Sequence, residues 1–350
     1  MNALQRTLHK ADAIQQRHTP SAFVFALTKK FGDDNAGSLV VQVTYSMFVT
    51  IFPLLLLLIT ILGIVLAGDP SLRNRVLDSA FGQFPIIGDQ LAHNIHAVRR
   101  DSTFGLVVGI VGLVYGSTGL AQSAMYAMAQ IWNIPSTDRP GFLPRLARSV
   151  SFLGVLAVGL VVTTVLAGFG TFGHHNVALG VAGEVLAAAA NVGLYLATFR
   201  VLTPKQITTR TLLPGTVVGG VAWTILQAVG GYVVGHQLKG SSAIYGMFGL
   251  VLGLIAWIYL AAEITIYAAE LNTVLHHHLW PRSMVQPPLT EADQRSLALQ
   301  ATQNRRSLDQ EIETRFVVRP MTEDEYLGEG GHQPRAEGIE RRVPDEPTHP

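Results

Sequence analysis

The stretch that decides the fold covers residues 39–67 and reads LVVQVTYSMFVTIFPLLLLLITILGIVLA. It contains no charged residue, and Pro53 is the one break in its helical character. Because a helix needs about 20 mainly apolar residues to cross the hydrocarbon core of a bilayer, the stretch predicts a first transmembrane helix. It is too long for the apolar region of a signal peptide and lacks a cleavage-like end, so we expect it to be retained.

Five further apolar runs follow, at residues 104–121, 149–172, 180–202, 212–235 and 244–271. The run at 104–121 is barely long enough to span, and the amphipathic sequence behind it predicts a helix that continues to about Trp132. Only helices and closed barrels satisfy every backbone polar group inside a bilayer. The sequence therefore predicts an all-α integral membrane protein, with a six-transmembrane-helix bundle over residues 39–280.

The composition agrees with a membrane protein. Of the 350 residues, 49% are hydrophobic and 14% are charged, compared with about 25% charged residues in a typical soluble domain. The mean hydropathy is +0.33. The formal net charge is +1, so no basic excess points to nucleic acid. There is no cysteine, which excludes disulfides, thiolate nucleophiles and cysteine-ligated metal centres.

Lysine and arginine are unevenly distributed between alternate loops. Of the 25 basic residues, twenty lie in the N-terminal segment, the C-terminal tail and the loops at 133–148 and 200–210. Cytoplasmic loops are enriched in these residues, so both termini are predicted to be cytoplasmic. The short loops alone give the same orientation, with three and three basic residues against none and one.

The segment between the first two spans is too polar to cross the membrane. Its apolar positions repeat at helical spacing, and Pro85 and Gly88 divide it. We expect two short amphipathic extracellular helices over 69–103, which lie in the interface or cap the bundle.

The two ends of the chain are predicted to be cytoplasmic and different in character. Residues 1–38 form an amphipathic N-terminal segment. Residues 281–350 contain thirteen acidic and nine basic residues with many prolines and glycines, so we expect a largely disordered tail. Within it, Thr290 followed by Asp293 is typical of a helix start and predicts a short helix over 290–308.

Polar residues repeat at helical spacing inside the predicted spans. They are costly in hydrocarbon unless they face protein or water, so we expect the striped faces to converge on a polar bundle interior. The sequence leaves open whether that interior is a hydrated substrate pathway or a closed hydrogen-bond network. The candidates are Gln42, Ser46 and Thr50; Thr118, Gln122, Tyr126 and Gln130; Glu184, Asn191, Tyr195 and Thr198; and Tyr259, Glu263, Tyr267 and Glu270.

Glu263 is the sharpest single candidate, because it lies two turns before the end of the last span, where an unpaired carboxylate is unfavourable. We expect an arginine partner and select Arg200 from those predicted at the same membrane level. The pair would either fix helix packing or belong to a proton- or substrate-linked site. Glu270 lies close enough to the interface to be merely solvated.

Small residues and prolines carry the remaining signals. Pro53 predicts a kink in the first helix. Five pairs of glycines at four-residue spacing predict close helix approach: Gly105/Gly109, Gly112/Gly116, Gly215/Gly219, Gly231/Gly235 and Gly249/Gly253. The histidine clusters have no carboxylates at ligand spacing, and motifs for nucleotide binding or hydrolysis are missing. We therefore predict no catalytic residue, no metal site and no cofactor.

Several short motifs carry a resemblance to a known family. They are Ile51-Phe52-Pro53-Leu54-Leu55-Leu56, Ile131-Trp132-Asn133-Ile134-Pro135, Leu213-Pro214-Gly215, Tyr245-Gly246, Trp257-Ile258-Tyr259 and Ala269-Glu270-Leu271-Asn272. Jointly they resemble the YihY/YhjD/BrkB family of bacterial inner-membrane proteins, historically labelled ribonuclease BN, over roughly residues 35–275. The chain departs mildly from the family pattern: Ala268 stands where a glycine is usual, and Gln130 where an asparagine is frequent.

The resemblance implies a six-helix protein of the bacterial plasma membrane, for which lipid or lipopolysaccharide export has been proposed. Two functions follow as hypotheses: an exporter of a lipid or amphipathic envelope component without its own ATPase, or a scaffolding envelope protein whose cytoplasmic tail recruits partners. Ribonuclease activity is disfavoured, because the acidic residues form no metal-binding cluster and the predicted cytoplasmic loops are too short for a catalytic domain. Expected partners are membrane lipids and an amphipathic substrate; a homo-oligomer is left open, and no nucleic acid is expected.

Overall fold

The computed structural model describes residues 11–65, 102–171, 177–237, 242–286 and 289–316. The regular secondary structure of these residues is helical throughout, as predicted. The extracellular helices predicted over 69–103 fall outside this part of the chain, apart from the last two residues, which begin a later helix.

The principal helices lie in the N-terminal segment, in the six apolar runs and near the start of the tail. They are α1 (Thr19–Asp33), α2 (Ala36–Val65), α3 (Ser102–Ile131), α4 (Phe142–Thr171), α5 (Val177–Leu202), α6 (Thr209–Gln237), α7 (Ser242–His277) and α8 (Glu291–Gln303), with a 3₁₀ turn at Ser136–Asp138. Helices α2 to α7 occupy the six predicted runs. A helix of 30 residues, such as α2, is about 45 Å long and exceeds the thickness of a bilayer's hydrocarbon core.

Four helices of the described part contain a stretch that is long and apolar enough to cross a membrane. The stretches are Phe142–Gly159 in α4, Val181–Leu202 in α5, Thr209–Gly230 in α6 and Val251–His277 in α7. In α2 the apolar stretch Ala36–Ile51 is shorter. The fold is therefore that of an all-helical protein with four candidate spans, and the number six stays a prediction.

Helices that follow one another in the sequence also pack together in space. Each of α2 to α6 packs on its successor, and α7 returns to α2, which closes a ring. Helix α1 lies against α2 and α7. The ring thereby brings the start of α2 and the ends of α3 and α7 together with α1, where Lys30 contacts both Ile131 and Glu270.

The largest buried apolar cluster contains residues from every helix of the ring. Its members include Val40, Ile131, Phe199, Leu212 and Ile266. A smaller cluster joins Ala26 of α1 to Val274 and Leu279, with Leu299 of α8 packed against it. Burial of these side chains holds α1 and α8 on the end of the bundle.

Helices α6 and α7 approach each other closely. A Cβ atom added to Gly215 would lie 2.0 Å from the carbonyl oxygen of Ala268, so only glycine fits there. The Gly215 backbone N–H donates to Oδ1 of Asn272 at 2.7 Å. The close approach predicted from Gly215 and Gly219 is therefore confirmed. Helix α2 continues through Pro53 without interruption.

The described residues that follow α7 pack against the rest of the chain, within the segment assigned to the tail from composition. Arg282 and Ser283 are each 2% exposed and Asp293 is fully buried. Helix α8 starts with the predicted capping box, in which Thr290 Oγ1 accepts from Asp293 N at 3.1 Å and Asp293 Oδ2 accepts from Thr290 N at 3.2 Å. Composition suggests disorder here, but long-range ion pairs attach this segment to α1. Residues after 316 lie outside the described part.

Candidate functional site

Some polar residues of α2 and α3 form hydrogen bonds between or within these helices, and others line a cavity. Ser46 and Ser123 share a hydrogen bond of 2.7 Å between their hydroxyls, and Thr50 donates to the Ser46 carbonyl. Gln42 and Gln122 instead line a cavity, described below. Thr118 is half-buried. Ser123, the partner of Ser46 in the structure, is not one of the residues in the predicted stripes.

The stripes of α5 and α7 are engaged in contacts between helices. Asn191 Nδ2 donates to Thr224 Oγ1 at 3.0 Å, and the Tyr195 hydroxyl lies 3.2 Å from Thr265 Oγ1. Tyr267 stacks on Phe31 of α1 with ring centroids 4.3 Å apart. Thr198 and Glu263 are half-buried and Tyr259 is exposed, while the side chain of Glu184 lies outside the described part. Among the described residues, the stripes of α5 and α7 therefore serve contacts between helices, whereas Gln42, Gln122 and Tyr126 line the cavity.

The predicted ion pair between Glu263 and Arg200 does not form. Arg200 is exposed and donates from Nη1 to the carbonyl oxygen of Ile207 at 3.1 Å. Among the ion pairs of the described residues, none includes Glu263. Arg200 sits in the last turn of α5, where its side chain satisfies a carbonyl group of the following loop.

A cavity of about 460 Å³ lies where α2, α3, the start of α4 and the end of α5 meet. Its lining combines three cations with neutral polar and apolar groups. These residues are Gln42, Gly119, Gln122, Ser123, Met125, Tyr126, Ala129, Arg139, Pro140, Arg145, Arg148, Leu202 and Pro204. We call it the arginine cavity. It gathers three of the residues predicted for a substrate pathway.

Arg139 is fixed in the wall of this cavity. Its Nη2 donates to Gln130 Oε1 at 3.1 Å and to the Ile134 carbonyl oxygen at 3.3 Å, and its guanidinium carbon lies 5.1 Å from the ring centroid of Tyr126. Burial lowers the pKa of Arg139, with a further lowering from the charge of Arg145. The side chain is thus held in one orientation by the end of α3.

The end of α3 owes this geometry to the Ile131-Trp132-Asn133-Ile134-Pro135 motif. Asn133 has a φ of 50°, a left-handed conformation that asparagine tolerates well. It ends the helix, and Ile134 N donates back to the Ala129 carbonyl at 2.8 Å. The freed carbonyl of Ile131 accepts from Lys30 Nζ at 3.1 Å. The motif therefore both places Arg139 and connects α3 to α1.

A second site at this end is built from charges in pairs. Lys30 is fully buried and forms ion pairs with Asp34 and with Glu270, whose Oε2 lies 3.6 Å from Lys30 Nζ. Burial raises the pKa of Asp34, although the charge of Lys30 opposes this. Glu270 is 0% exposed, so the prediction that it is merely solvated is wrong. Helix α1, which the span pattern does not include, covers it.

Buried ion pairs also join α1 to the described part of the tail, residues 281–286 and 289–316, which we call the tail segment. Arg282 contacts Asp33 at 2.6 Å and Asp293 at 2.8 Å, and Lys29 Nζ lies 3.0 Å from Asp293. Although burial acts to raise it, the pKa of Asp293 is held well below its usual value by hydrogen bonds from Ser283 N–H, Arg282 and Lys29. We call Lys29, Lys30, Asp33, Asp34, Glu270, Arg282 and Asp293 the charged cluster.

The last residue of α8 and the chain just after it connect the two sites. Gln303 accepts from Asn133 Nδ2 at 2.8 Å and also contacts Gln130, and Arg305 pairs with Asp138. A second, polar cavity of about 340 Å³ lies beside these contacts and shares Tyr126 and Arg139 with the arginine cavity. The tail segment therefore rests on the end of α3 and on the loop that carries Arg139.

The histidines at the end of α7 pack rather than form a centre of their own. His276 and His277 lie edge-on to the buried Trp132 ring, with centroids 5.7 Å and 6.2 Å away. Within the described ranges, no group of three or more His, Asp or Glu side chains is placed to hold a metal ion.

Comparison with known proteins places the chain among bacterial membrane proteins. It is similar to the inner membrane protein YhjD of Escherichia coli, 24% identical over 288 residues that cover 76% of this chain and 84% of YhjD. It is also 25% identical to a UPF0761 membrane protein of Alcanivorax borkumensis (73% of this chain, 60% of that protein) and 26% identical to an uncharacterised protein of Dickeya dadantii (69% and 79%). No solved structure matches the chain.

A family model described as virulence factor BrkB matches residues 27–290. The matched range contains all of the motifs quoted above, the arginine cavity and most of the charged cluster. It covers most of the chain and agrees with the multi-pass apolar helices and with the similarity to YhjD. The chain belongs to the family of virulence factor BrkB and is a multi-pass inner-membrane protein.

Proposed function

We propose that this protein moves a lipid or another amphipathic envelope component across the bacterial inner membrane, without an ATPase of its own. The arginine cavity is the observation that carries the proposal. Its wall joins charged and polar groups, such as Arg148 and Gln122, to apolar ones, such as Met125 and Leu202. A wall of this mixed kind suits a molecule with a polar head and an apolar tail.

The proposed orientation places the cavity at the cytoplasmic side. Arg139, Arg145 and Arg148 belong to a short loop and helix start that the excess of basic residues assigns to the cytoplasm. In this proposal six helices span the membrane, both termini are cytoplasmic, and the segment at 69–103 lies outside. A substrate would then enter from the cytoplasmic leaflet.

We further propose that the protein acts by binding and movement rather than by catalysis. The lining of the arginine cavity consists of arginines, amides, hydroxyl groups and apolar side chains. These groups bind an anion well, whereas general acid–base catalysis uses side chains that exchange protons near neutral pH. Nuclease-free protein that degraded RNA in a metal-dependent way would overturn this part of the proposal.

The test is transbilayer movement of fluorescent phospholipids in liposomes that contain the full-length chain, with and without a proton gradient. Gly119 lines the cavity, and a Cβ added there meets nothing within 4 Å, so Gly119→Phe places a ring in open space. Gly154 also has nothing within 4 Å but lines a groove between α4 and α5. It provides the matched control, Gly154→Phe.

We expect the unsubstituted chain and Gly154→Phe to accelerate lipid movement several-fold over protein-free liposomes, and Gly119→Phe to lose most of that rate. The proposal fails if no lipid moves under either condition. It also fails if Gly119→Phe is as active as the control, because the substrate would then take another route.

A scaffolding role is the second candidate, and the attachment of α8 favours it. Asp293 and Gln303 hold α8 on the bundle, so the described chain before residue 317 is attached where a partner-binding tail would begin. Removal of 317–350 tests this role without disturbing the charged cluster. Loss of the envelope phenotype with lipid movement intact supports scaffolding, whereas an unchanged phenotype contradicts it.

A further inference from the structure

The wall of the arginine cavity carries positive charge without acidic partners. Arg139, Arg145 and Arg148 line it, and its lining residues include neither aspartate nor glutamate. Arg145 donates to the Pro140 carbonyl oxygen at 3.2 Å. Arg148 makes no hydrogen bond or ion pair with any residue that the structure describes. Two of the three guanidinium groups thus keep most of their donors available.

Arg139, the third arginine, has a buried donor atom without an acceptor in the described part of the chain. Arg139 Nη2 is satisfied by Gln130 and Ile134, but its Nε is buried without a hydrogen-bond partner among the described residues. A buried donor without an acceptor is unfavourable, and one that belongs to a cation is more so. The cavity is therefore electrostatically incomplete as it stands.

An anion with several oxygen atoms completes such a site. The planar guanidinium group presents its N–H donors in a fork that matches phosphate oxygens, and two or three arginines around one phosphate give short charge-assisted hydrogen bonds. The amides of Gln42 and Gln122 and the hydroxyl of Ser123 add neutral polar groups to the same wall. A phosphate group fits this set better than a zwitterionic or neutral head group.

The remainder of the lining indicates by its chemistry what kind of molecule carries that phosphate. Met125, Ala129 and Leu202 give the cavity an apolar portion beside the arginines, which inorganic phosphate does not use. An acylated phosphate uses both portions.

We propose that the arginine cavity binds the phosphate-bearing head group of an anionic lipid, with Arg145 and Arg148 as the principal ligands and Arg139 as a fixed third donor. This rests on the proposed function, because it names the substrate class of the same cavity. A phosphomonoester lipid, which carries more than one negative charge near neutral pH, binds more tightly than a phosphodiester.

The test measures equilibrium binding of fluorescent phosphatidic acid to the full-length chain in neutral detergent micelles, with unlabelled phosphatidic acid, inorganic phosphate and phosphatidylcholine as competitors. The double variant Arg145→Gln/Arg148→Gln removes two charges from the cavity. The matched control Arg200→Gln/Arg210→Gln removes two charges from exposed positions outside its lining. Neither pair has an acidic partner among the described residues, so both variants are expected to keep the helical content of the unsubstituted chain.

We expect the cavity variant to lose at least tenfold in affinity for phosphatidic acid and the control variant to lose less than twofold. Unlabelled phosphatidic acid should displace the probe, whereas phosphatidylcholine should not. Equal losses in the two variants would overturn the proposal, because binding would then follow net charge. Displacement by inorganic phosphate as effective as by the lipid would overturn the lipid assignment in favour of a free anion.

The outcomes separate this inference from the proposed function. If Gly119→Phe stops lipid movement but the cavity variant binds phosphatidic acid normally, the transport proposal stands and this inference fails. If the cavity arginines bind phosphatidic acid as expected in a chain that moves no lipid, this inference stands and the transport proposal fails.

Discussion

The charged cluster and the arginine cavity lie at the same end of the bundle, and they differ in how their charges are balanced. In the charged cluster every cation has an acidic partner: Lys29 pairs with Asp293, Lys30 with Asp34 and Glu270, and Arg282 with Asp33 and Asp293. In the arginine cavity three cations share a wall that contains no carboxylate.

This difference separates a structural use of charge from a binding one. Buried ions are tolerated when paired and hydrogen-bonded, and removal of one partner leaves the other uncompensated. The charged cluster meets that condition with residues from α1, α7 and the tail segment, so its charges hold α1 and the tail segment to the bundle. In the part of the chain that the structure describes, the lining of the arginine cavity supplies no carboxylate to pair with its arginines. This is expected of a site in which a ligand supplies the negative charge.

The largest effect is expected from Arg282→Met, which breaks two ion pairs of the charged cluster at once. Because Asp293 stays buried with Lys29 but without Arg282, we expect residues 289–304 to lose up to about 3–5 kcal/mol of local stability. Hydrogen exchange of the α8 amides in detergent measures this loss directly.

The control for this prediction is Arg295→Met. Arg295 also pairs with an acid, Glu291, but the two side chains are 50% and 86% exposed, against 2% and 0% for Arg282 and Asp293. Exposed pairs contribute at most about 1 kcal/mol. If both variants lost similar hydrogen-exchange protection of the α8 amides, burial would not determine how much these ion pairs stabilise the chain. The contrast between the charged cluster and the arginine cavity would then be wrong.

The next largest effect is a dependence on pH of the stability with which the tail segment is attached to the bundle. The pKa of Asp293 is lowered in the folded chain despite burial, through Ser283, Arg282 and Lys29, and the pKa of Asp12, which also contacts Ser283, is lowered in the same direction. A lowered carboxyl pKa gives stability that is complete above the unfolded value of about 4 and is lost as the pH falls below it.

Protease sensitivity of the tail segment at pH 7 and at pH 3 checks this dependence. We expect α8 to become sensitive at the lower pH before the bundle unfolds. Asp293→Asn should weaken the attachment at pH 7 and remove most of the difference between the two conditions. A tail equally protected at both pH values in the unsubstituted chain would contradict the assignment of Asp293 as an ionised anchor.

The sequence predicts those features of the fold that depend on local patterns. Apolar runs place α2 to α7, and the spacing of Thr290 and Asp293 predicts the start of α8. The glycine pair in α6 predicts a close helix approach, and the structure shows that the neighbour is α7. Each of these signals is contained within one helix or its cap, where hydrophobic length and hydrogen-bonding chemistry act without the rest of the chain.

The sites depend on contacts that no local pattern contains. Lys29 and Asp293 are 264 positions apart, so the charged cluster is invisible to periodicity, and Glu270 looks solvated until α1 covers it. The arginines of the cavity are present in the sequence only as a signal of orientation. Closure of the helix ring places them beside Gln42 and Tyr126, which the stripe pattern does predict for a pathway.

The smallest effect on stability is expected at the close contact between α6 and α7. Gly215→Ala adds a methyl group 2.0 Å from the Ala268 carbonyl oxygen and close to Asn272, on the closely packed side that carries Glu270. Overpacking of this kind costs about 1–3 kcal/mol.

Gly193→Ala is the control, because its Cβ meets nothing within 4 Å and helix propensity favours alanine by about 1 kcal/mol. Thermal unfolding followed by circular dichroism should therefore give a lower midpoint for Gly215→Ala and an equal or higher one for Gly193→Ala. If both variants melted like the unsubstituted chain, α6 and α7 would be free to separate, and the closed side of this end would be as adaptable as the cavity side.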